Sequence, residues 1–444
     1  LMKLSLDEIY NIFINSAGIS IDSRSTKNGQ IFLAIKGENI DGNAYVEDAL
    51  NNGAMYCITN RTELLDDIRC IVVEDTYQTL VDLAKIHREH FSIPVLAITG
   101  SNGKTTSKEL IAKVLSTQYN VLFTEGNLNN ELGLPLMILK LNNAHEIAVV
   151  EMGAAKLGDI NFLCEIAKPT HGLITTIGRA HIGRFGSFEN IIKAKTELFD
   201  FLKKHNGLAF INEDDPILEP FARSLNTIFY GKNNPNTRVS NVSALPFLSF
   251  EWNYDDKNYK IETHLFGDYN LVHTLAAISI GLYFKISPEN IVKAITEYIP
   301  TNSRSQIIYN EKNIVIMDAY NANPTSMEAA LINFFSIPID FFYNKNTTIK
   351  PEKRASILGE MMELGEYSYD EHNNILNVVK SYNPDLAIFV GDNFYQFKDN
   401  FPQFLFVPNT DELVNFISNN PLSEYIILVK GSRANALEKI LPYL

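Results

Sequence analysis

The 444 residues carry 38 basic against 52 acidic side chains, a formal charge of -14, with 45% hydrophobic residues, 23 Gly and 17 Pro. That length exceeds what one core usually organises, so two or three domains are expected, and the composition excludes a fibrous or disordered chain. The acidic balance excludes the broad basic surface that a nucleic-acid partner needs, although a few local cations can still bind an anionic small substrate.

Asp7 and Glu8 break the start before an apolar run develops, and no stretch of about 18 apolar residues follows. Neither a signal peptide nor a membrane partner is expected, and the cytoplasm is the default location. Short apolar runs at 31–35 and 54–58 then alternate with a helical pattern at 45–52, which predicts a small α/β domain over 1–92. Cys57, Cys70 and Cys164 form no C-x-x-C pair, which excludes a disulfide framework and a zinc site and leaves them as small apolar residues.

Ser92, Ile93 and Pro94 lead into 95–99, an uninterrupted apolar run of the kind that buried parallel strands carry. Beyond 100–106, Leu110, Ile111, Val114 and Leu115 recur at helical spacing, so the order is strand, glycine loop, helix. Strands at 147–152, 172–177, 208–211 and 227–230, with helices between them, predict a mainly parallel sheet in a central domain, 93–301. A third unit, 302–444, alternates strands at 314–318, 355–358, 386–390 and 425–429 with helices at 326–333 and 369–380. That alternation predicts a second parallel, Rossmann-like sheet, and the polar stretch 344–353 reads as an exposed loop.

The loop Gly100, Ser101, Asn102, Gly103, Lys104, Thr105, Thr106 opens a helix, where free N–H groups and the helix dipole favour a phosphate such as those of ATP. Lys104 is expected to neutralise β- and γ-phosphate charge, and Thr105 offers a hydroxyl to Mg²⁺. The spacing departs from G-x-x-x-x-G-K-[ST], because Ile98 stands five before Gly103. A glycine turn that binds nothing is the competing reading, and the nucleotide reading alone leaves ligase, transport ATPase and switch open.

Glu151 closes a predicted strand, where ligands of open α/β sheets bind, and its carboxylate can hold Mg²⁺ beside the loop; a solvated strand-end glutamate is the alternative. Asn127, Asn129 and Asn130, read alone, are as well explained as turn residues. A strand that ends in Asp318 and breaks into Tyr-Asn-Ala-Asn-Pro sets Asn321 and Asn323 at the sheet's carboxyl edge. Lys430 and Arg433 repeat that geometry after the last strand, unless they are two solvated cations on a helix-opening turn.

Taken in order, these segments resemble the Mur ligase family over nearly the whole chain. They are G-S-N-G-K-T-T at 100–106, G-N-L-N-N-E-L-G-L-P at 126–135, E-M-G at 151–153, A-H at 180–181, F-G-S at 185–187 and K-T-E at 195–197. D-A-Y-N-A-N-P at 318–324, L-G-E-M at 358–361, E-L-G at 363–365 and K-G-S-R at 430–433 continue the match. The paired asparagines and the 318–324 segment are similar to the branch that joins D-alanyl-D-alanine to a UDP-linked muramoyl tripeptide. The D-N-P-[RK] signature of the ligase adding the third amino acid is absent. Folylpolyglutamate synthetases share the phosphate loop but not the N-terminal segment.

The resemblance implies a three-domain α/β enzyme: a small N-terminal UDP-binding domain, a central P-loop ATPase domain and the C-terminal Rossmann-like domain, working as a monomer. It implies ATP and two Mg²⁺ ions, with His181 and a carbamylated Lys195 as further metal ligands. Lys195 can equally be a surface lysine on a helix over 190–202, with Lys193 as its rival. Ser23 and Arg24 would meet the UDP moiety, the three asparagines at 127–130 the muramoyl substrate, and Asn321, Asn323, Lys430 and Arg433 the dipeptide or tripeptide. Asn270, Arg304 and Asp318 would contact ATP, although Tyr269 and His273 replace a His and an Asn of the family's G-x-H-N-x-x-N-x-L-A-A segment. A hinge is expected at 301–303.

Overall fold

In a computed structural model, residues 4–37, 39–300, 304–342 and 349–444 are described; the expected hinge at 301–303 and the first half of the expected loop at 344–353 lie outside them. Near the N-terminus β1 (Ile19–Ser20), β2 (Ile31–Leu33), β3 (Tyr56–Thr59) and β4 (Cys70–Val72) pair in that order, all parallel. Ile31 and Leu33 point into a core shared with the helix Thr76–Glu89, whose N-cap Asp75 accepts from Gln78 N. Of the cysteines, Cys57 and Cys164 are buried and Cys70 is half-buried.

The second sheet has the order β10-β9-β8-β5-β7-β6 and is parallel throughout. Its strands are β5 (Val95–Thr99), β6 (Val121–Phe123), β7 (Ile147–Glu151), β8 (His171–Ile174), β9 (Leu208–Asn212) and β10 (Asn226–Tyr230). Every residue of β5 and β7 is buried, because helices cover both faces. The chain leaves β5 toward β7 and β6 and returns to β8 on its other side, so β5 and β8 flank a switch point, where open α/β sheets bind ligands. β8 stops at Ile174 rather than at 177, because Thr175 and Thr176 turn away to bond the loop after β5.

The three-stranded antiparallel sheet that follows was not expected: β11 (Val239–Ala244), β12 (Phe247–Tyr254) and β13 (Lys257–Phe266). Leu248, Phe250 and Trp252 alternate inward along β12. Asp255 and Asp256, both at positive φ (50° and 57°), make its two-residue turn.

The last sheet has the order β14-β15-β19-β16-β17-β18, from β14 (Gln306–Tyr309), β15 (Ile314–Asp318), β16 (Lys353–Gly359), β17 (Leu386–Val390), β18 (Leu405–Val407) and β19 (Tyr425–Lys430). It is parallel except at one edge, where β14 runs antiparallel to β15 and corrects the expectation of parallel strands alone. In-register pairing of β15 with β19 sets Asp318 beside Lys430 at the carboxyl edge.

Candidate active site

The turn after β5 is built on two glycines with left-handed φ, Gly100 (143°) and Gly103 (75°). A Cβ on Gly100 would lie 2.1 Å from Thr175 Oγ1, and one on Gly103 1.9 Å from His273 Cε1, so only glycine lets the loop pass so close. Thr175 Oγ1 donates to the Asn102 carbonyl (2.6 Å), Ser101 N to the Thr176 carbonyl (2.8 Å) and Ser101 Oγ to the Gly178 carbonyl (2.9 Å). The loop is thereby fastened to the chain that leaves β8.

Lys104 Nζ folds back to donate to the carbonyls of Gly100 (2.8 Å) and Ser101 (3.3 Å). Loss of water holds its pKa below the usual lysine range, Glu151 opposing and the Arg304 cation reinforcing that shift. His273 supports the loop from below. Its Nδ1 lies 3.0 Å from Ser107 Oγ, and burial depresses its pKa to about 4, so the ring is neutral.

Glu151 is 2% exposed at the end of β7. Its Oε2 accepts from Thr105 Oγ1 and its Oε1 from Asn129 Nδ2, each at 2.8 Å. A buried carboxylate beside a hydroxyl at the rim of a phosphate loop is a donor pair suited to Mg²⁺. No group of three or more His, Cys, Asp or Glu that could hold a metal exists among the described residues. A sparse protein donor set is what Mg²⁺ uses when phosphate and water complete its octahedron.

Across the cavity, the buried Lys430 Nζ lies 2.5 Å from Oδ2 of the partly buried Asp318, and Ser305 N donates to Asp318 Oδ1 (3.2 Å). Arg304 stacks its guanidinium 3.7 Å from the Tyr320 ring centroid, and its Nε is buried without a hydrogen-bond partner. Asn321 uses Oδ1 on the Ala322 N–H (2.9 Å). Asn270 is buried and donates to the Phe266 carbonyl (2.8 Å), while Tyr269, in place of the family's His, reaches Ser305 Oγ (3.2 Å).

These groups line one cavity of about 1070 Å³ between the second and fourth sheets. Ser101 to Thr106, Asn129, Asn130, Glu151, His181, Asn270, Arg304, Asp318, Asn321, Asn323 and Lys430 all face it; Gly100, Asn127, Lys195, Arg433, Ser23 and Arg24 do not. Arg24 pairs with Asp22 (2.8 Å) on the N-terminal surface, and the Ser23 carbonyl accepts from Asn52 Nδ2 (3.0 Å). Arg433 stands 5.4 Å from the Tyr320 centroid.

Lys195 is not a surface lysine. It is 2% exposed on the helix Phe188–Lys204, 5.5 Å from the Phe185 centroid, and burial followed by the Lys104 cation lowers its pKa to about 7. His181 Nδ1 contacts the Glu363 carboxylate, which also takes Arg184 (2.7 Å); burial lowers the imidazole pKa against the pull of Glu363. Sequence reasoning passed over most of the strand-end turn at 153–158, which lines the cavity, includes Lys156 and leads into Asp159 at the start of the next helix. Its Gly-Ala-Ala-Lys-Leu-Gly composition after a buried strand was the available signal.

Three family models match: "Mur ligase family, catalytic domain" over residues 15–93, "Mur ligase middle domain" over 98–281 and "Mur ligase, glutamate ligase domain" over 303–433. The chain is 33% identical over 437 residues to the UDP-N-acetylmuramoyl-tripeptide--D-alanyl-D-alanine ligase of Bacillus subtilis, covering 95% of this chain and 92% of that one. Its structure is similar to MurF from Acinetobacter baumannii (TM-score 0.83, 27% identity, 100% and 98% of the two chains). It is also similar to the MurF ligase of Thermotoga maritima in complex with ADP (TM-score 0.81, 26% identity, 97% of each).

Proposed function

The chain belongs to the Mur ligase family, and on that premise we propose a catalytic course from its own residues. It is an ATP-dependent ligase of peptidoglycan synthesis that adds D-alanyl-D-alanine to UDP-N-acetylmuramoyl-tripeptide. The observation that carries the mechanism is that two carboxyl sheet edges, one bearing the phosphate loop and the other Arg304, Asp318 and Lys430, share a single cavity.

An oxygen of the tripeptide carboxylate attacks the γ-phosphorus of ATP, the bond to the bridging oxygen breaks, and ADP leaves. The resulting acyl phosphate is attacked at carbon by the amine of D-alanyl-D-alanine; phosphate leaves with the former carboxylate oxygen, and the amine loses a proton. Lys104 and Arg304 both face this cavity, where they would offset the phosphate charge that accumulates during transfer. Asn270 and Asp318 border the nucleotide.

Thr105 and Glu151 would hold Mg²⁺, which when bound neutralises phosphate charge. Lys195, with its pKa near 7, supplies a neutral amine that can add CO₂ and become a carbamate, an anionic oxygen donor that, with His181, would serve a second ion. Ser23 and Arg24 receive the UDP moiety; Asn127, Asn129 and Asn130 the muramoyl peptide; Asn321, Lys430 and Arg433 the reacting termini. The enzyme acts as a cytoplasmic monomer divided at 92/93 and 301/302. No helix among the described residues is long and apolar enough to cross a membrane.

Tripeptide substrate labelled with ¹⁸O in its terminal carboxylate tests this course. One label in each released phosphate is expected; unlabelled phosphate alongside amide product would exclude the acyl phosphate.

A further inference from the structure

Asn323 has both polar atoms of its side chain engaged. Its Oδ1 caps the helix Pro324–Ser336 by accepting from Ser326 N (3.0 Å), and its Nδ2 donates to Asn102 Oδ1 in the phosphate loop (2.7 Å). It is 5% exposed. Ser, Thr or Asp would cap that helix as well, but of the good caps only asparagine also brings an amide donor. The identity of the residue therefore answers to the bond with the loop.

The bond lies within a seam. Arg179 N donates to Thr325 Oγ1 (3.3 Å), Arg179 pairs with Glu371 (2.9 Å), and Gly183 N donates to the Glu363 carbonyl (3.1 Å). A Cβ on Gly178 would stand 3.1 Å from Thr325 Oγ1. Asn323 is the member of this seam that bonds to the phosphate loop itself, while Thr175 and Thr176 hold the Asn102 carbonyl from the other side (2.6 and 3.3 Å).

We propose that Asn323 is a positioning residue rather than a substrate contact: through Asn102 it ties the phosphate loop to the C-terminal sheet, so that nucleotide on the loop and the edge carrying Asp318 and Lys430 are held in one register. The inference rests on the ligase reading. An acyl phosphate survives only while water is kept out, so a loosened tie loses the intermediate to hydrolysis.

The test compares wild type with Asn323→Ser, which keeps a cap acceptor, with Asn102→Ala, and with the double variant. Three quantities are read: phosphate released per amide formed, the rate of amide formation, and the melting shift produced by a non-hydrolysable ATP analogue. Expected are wild-type melting for Asn323→Ser without nucleotide, a roughly fivefold loss of amide rate, the scale of one net hydrogen bond, and more than one phosphate per amide. The analogue's melting shift should be smaller in both single variants, and the double variant no worse than either. Additive losses, or a phosphate-to-amide ratio of one with an unchanged analogue shift, would overturn the tie. A wild type that makes no amide would overturn the ligase reading instead, and the analogue shift would still decide on the tie.

Discussion

Thr105 Oγ1 and Glu151 Oε2 lie 2.8 Å apart, joining the first turn of the helix after the phosphate loop to the end of a neighbouring strand. A buried carboxylate is costly unless it is partnered, and here its partners are one hydroxyl and one amide rather than a cation. That leaves negative charge at the loop's rim available to a divalent ion. Glu151→Gln, which keeps the volume, is expected to lower kcat by about 10²-fold or more and to raise the Mg²⁺ concentration needed for half activity. Phosphate release titrated with Mg²⁺ checks this; an unchanged Mg²⁺ requirement would remove Glu151 from the metal site.

Burial lowers the pKa of Lys195 to about 7 from the ordinary value near 10.5. Between those values the unfolded chain holds a proton that the folded chain lacks, so stability falls as pH drops from 10.5 to 7, and the full cost persists below 7. In carbonate-free buffer, Lys195→Met should melt higher than wild type at pH 6, by roughly 5 °C, and the gap should close by pH 10. Equal gaps at both pH values would contradict the buried amine. With ¹³C-bicarbonate near neutral pH, a carbamate carbon signal is expected in wild type and not in Lys195→Arg.

Gly103 faces His273 so closely that an added methyl must displace either the imidazole or the loop. Gly103→Ala, strained also by its φ of 75°, is expected to weaken ATP binding by tenfold or more, at a cost of roughly 1–3 kcal/mol in backbone strain. Calorimetric titration with ATP reads this directly, and wild-type affinity would mean that the loop does not hold the nucleotide in this shape.

The Arg304 guanidinium carbon lies over the Tyr320 ring, 3.7 Å from its centroid. Tyr320→Phe keeps the ring and should behave as wild type, whereas Tyr320→Leu should raise the KM for ATP by roughly 3- to 30-fold, the range of a cation–π contact. Equal effects from both substitutions would mean that the phenol hydroxyl, not the stack, matters.

Much of this arrangement was legible in the sequence, since the buried strands 95–99 and 147–151 are apolar runs, the first leading directly into the phosphate loop and the second ending in Glu151. The antiparallel sheet was missed because its turn is Asp-Asp rather than Asn-Gly, and β14 because four half-buried residues give no clear period. Burial escaped the reading of Lys195, whose helix neighbours look amphipathic and charged. The second task of Asn323 escaped because its partner lies 221 residues away.

The central claim is tested most directly by phosphate release from ATP and Mg²⁺ with UDP-N-acetylmuramoyl-tripeptide, with and without D-alanyl-D-alanine, recording product mass. Release that needs both substrates and yields the pentapeptide mass is the expected result. Turnover of ATP indifferent to either substrate would contradict the account.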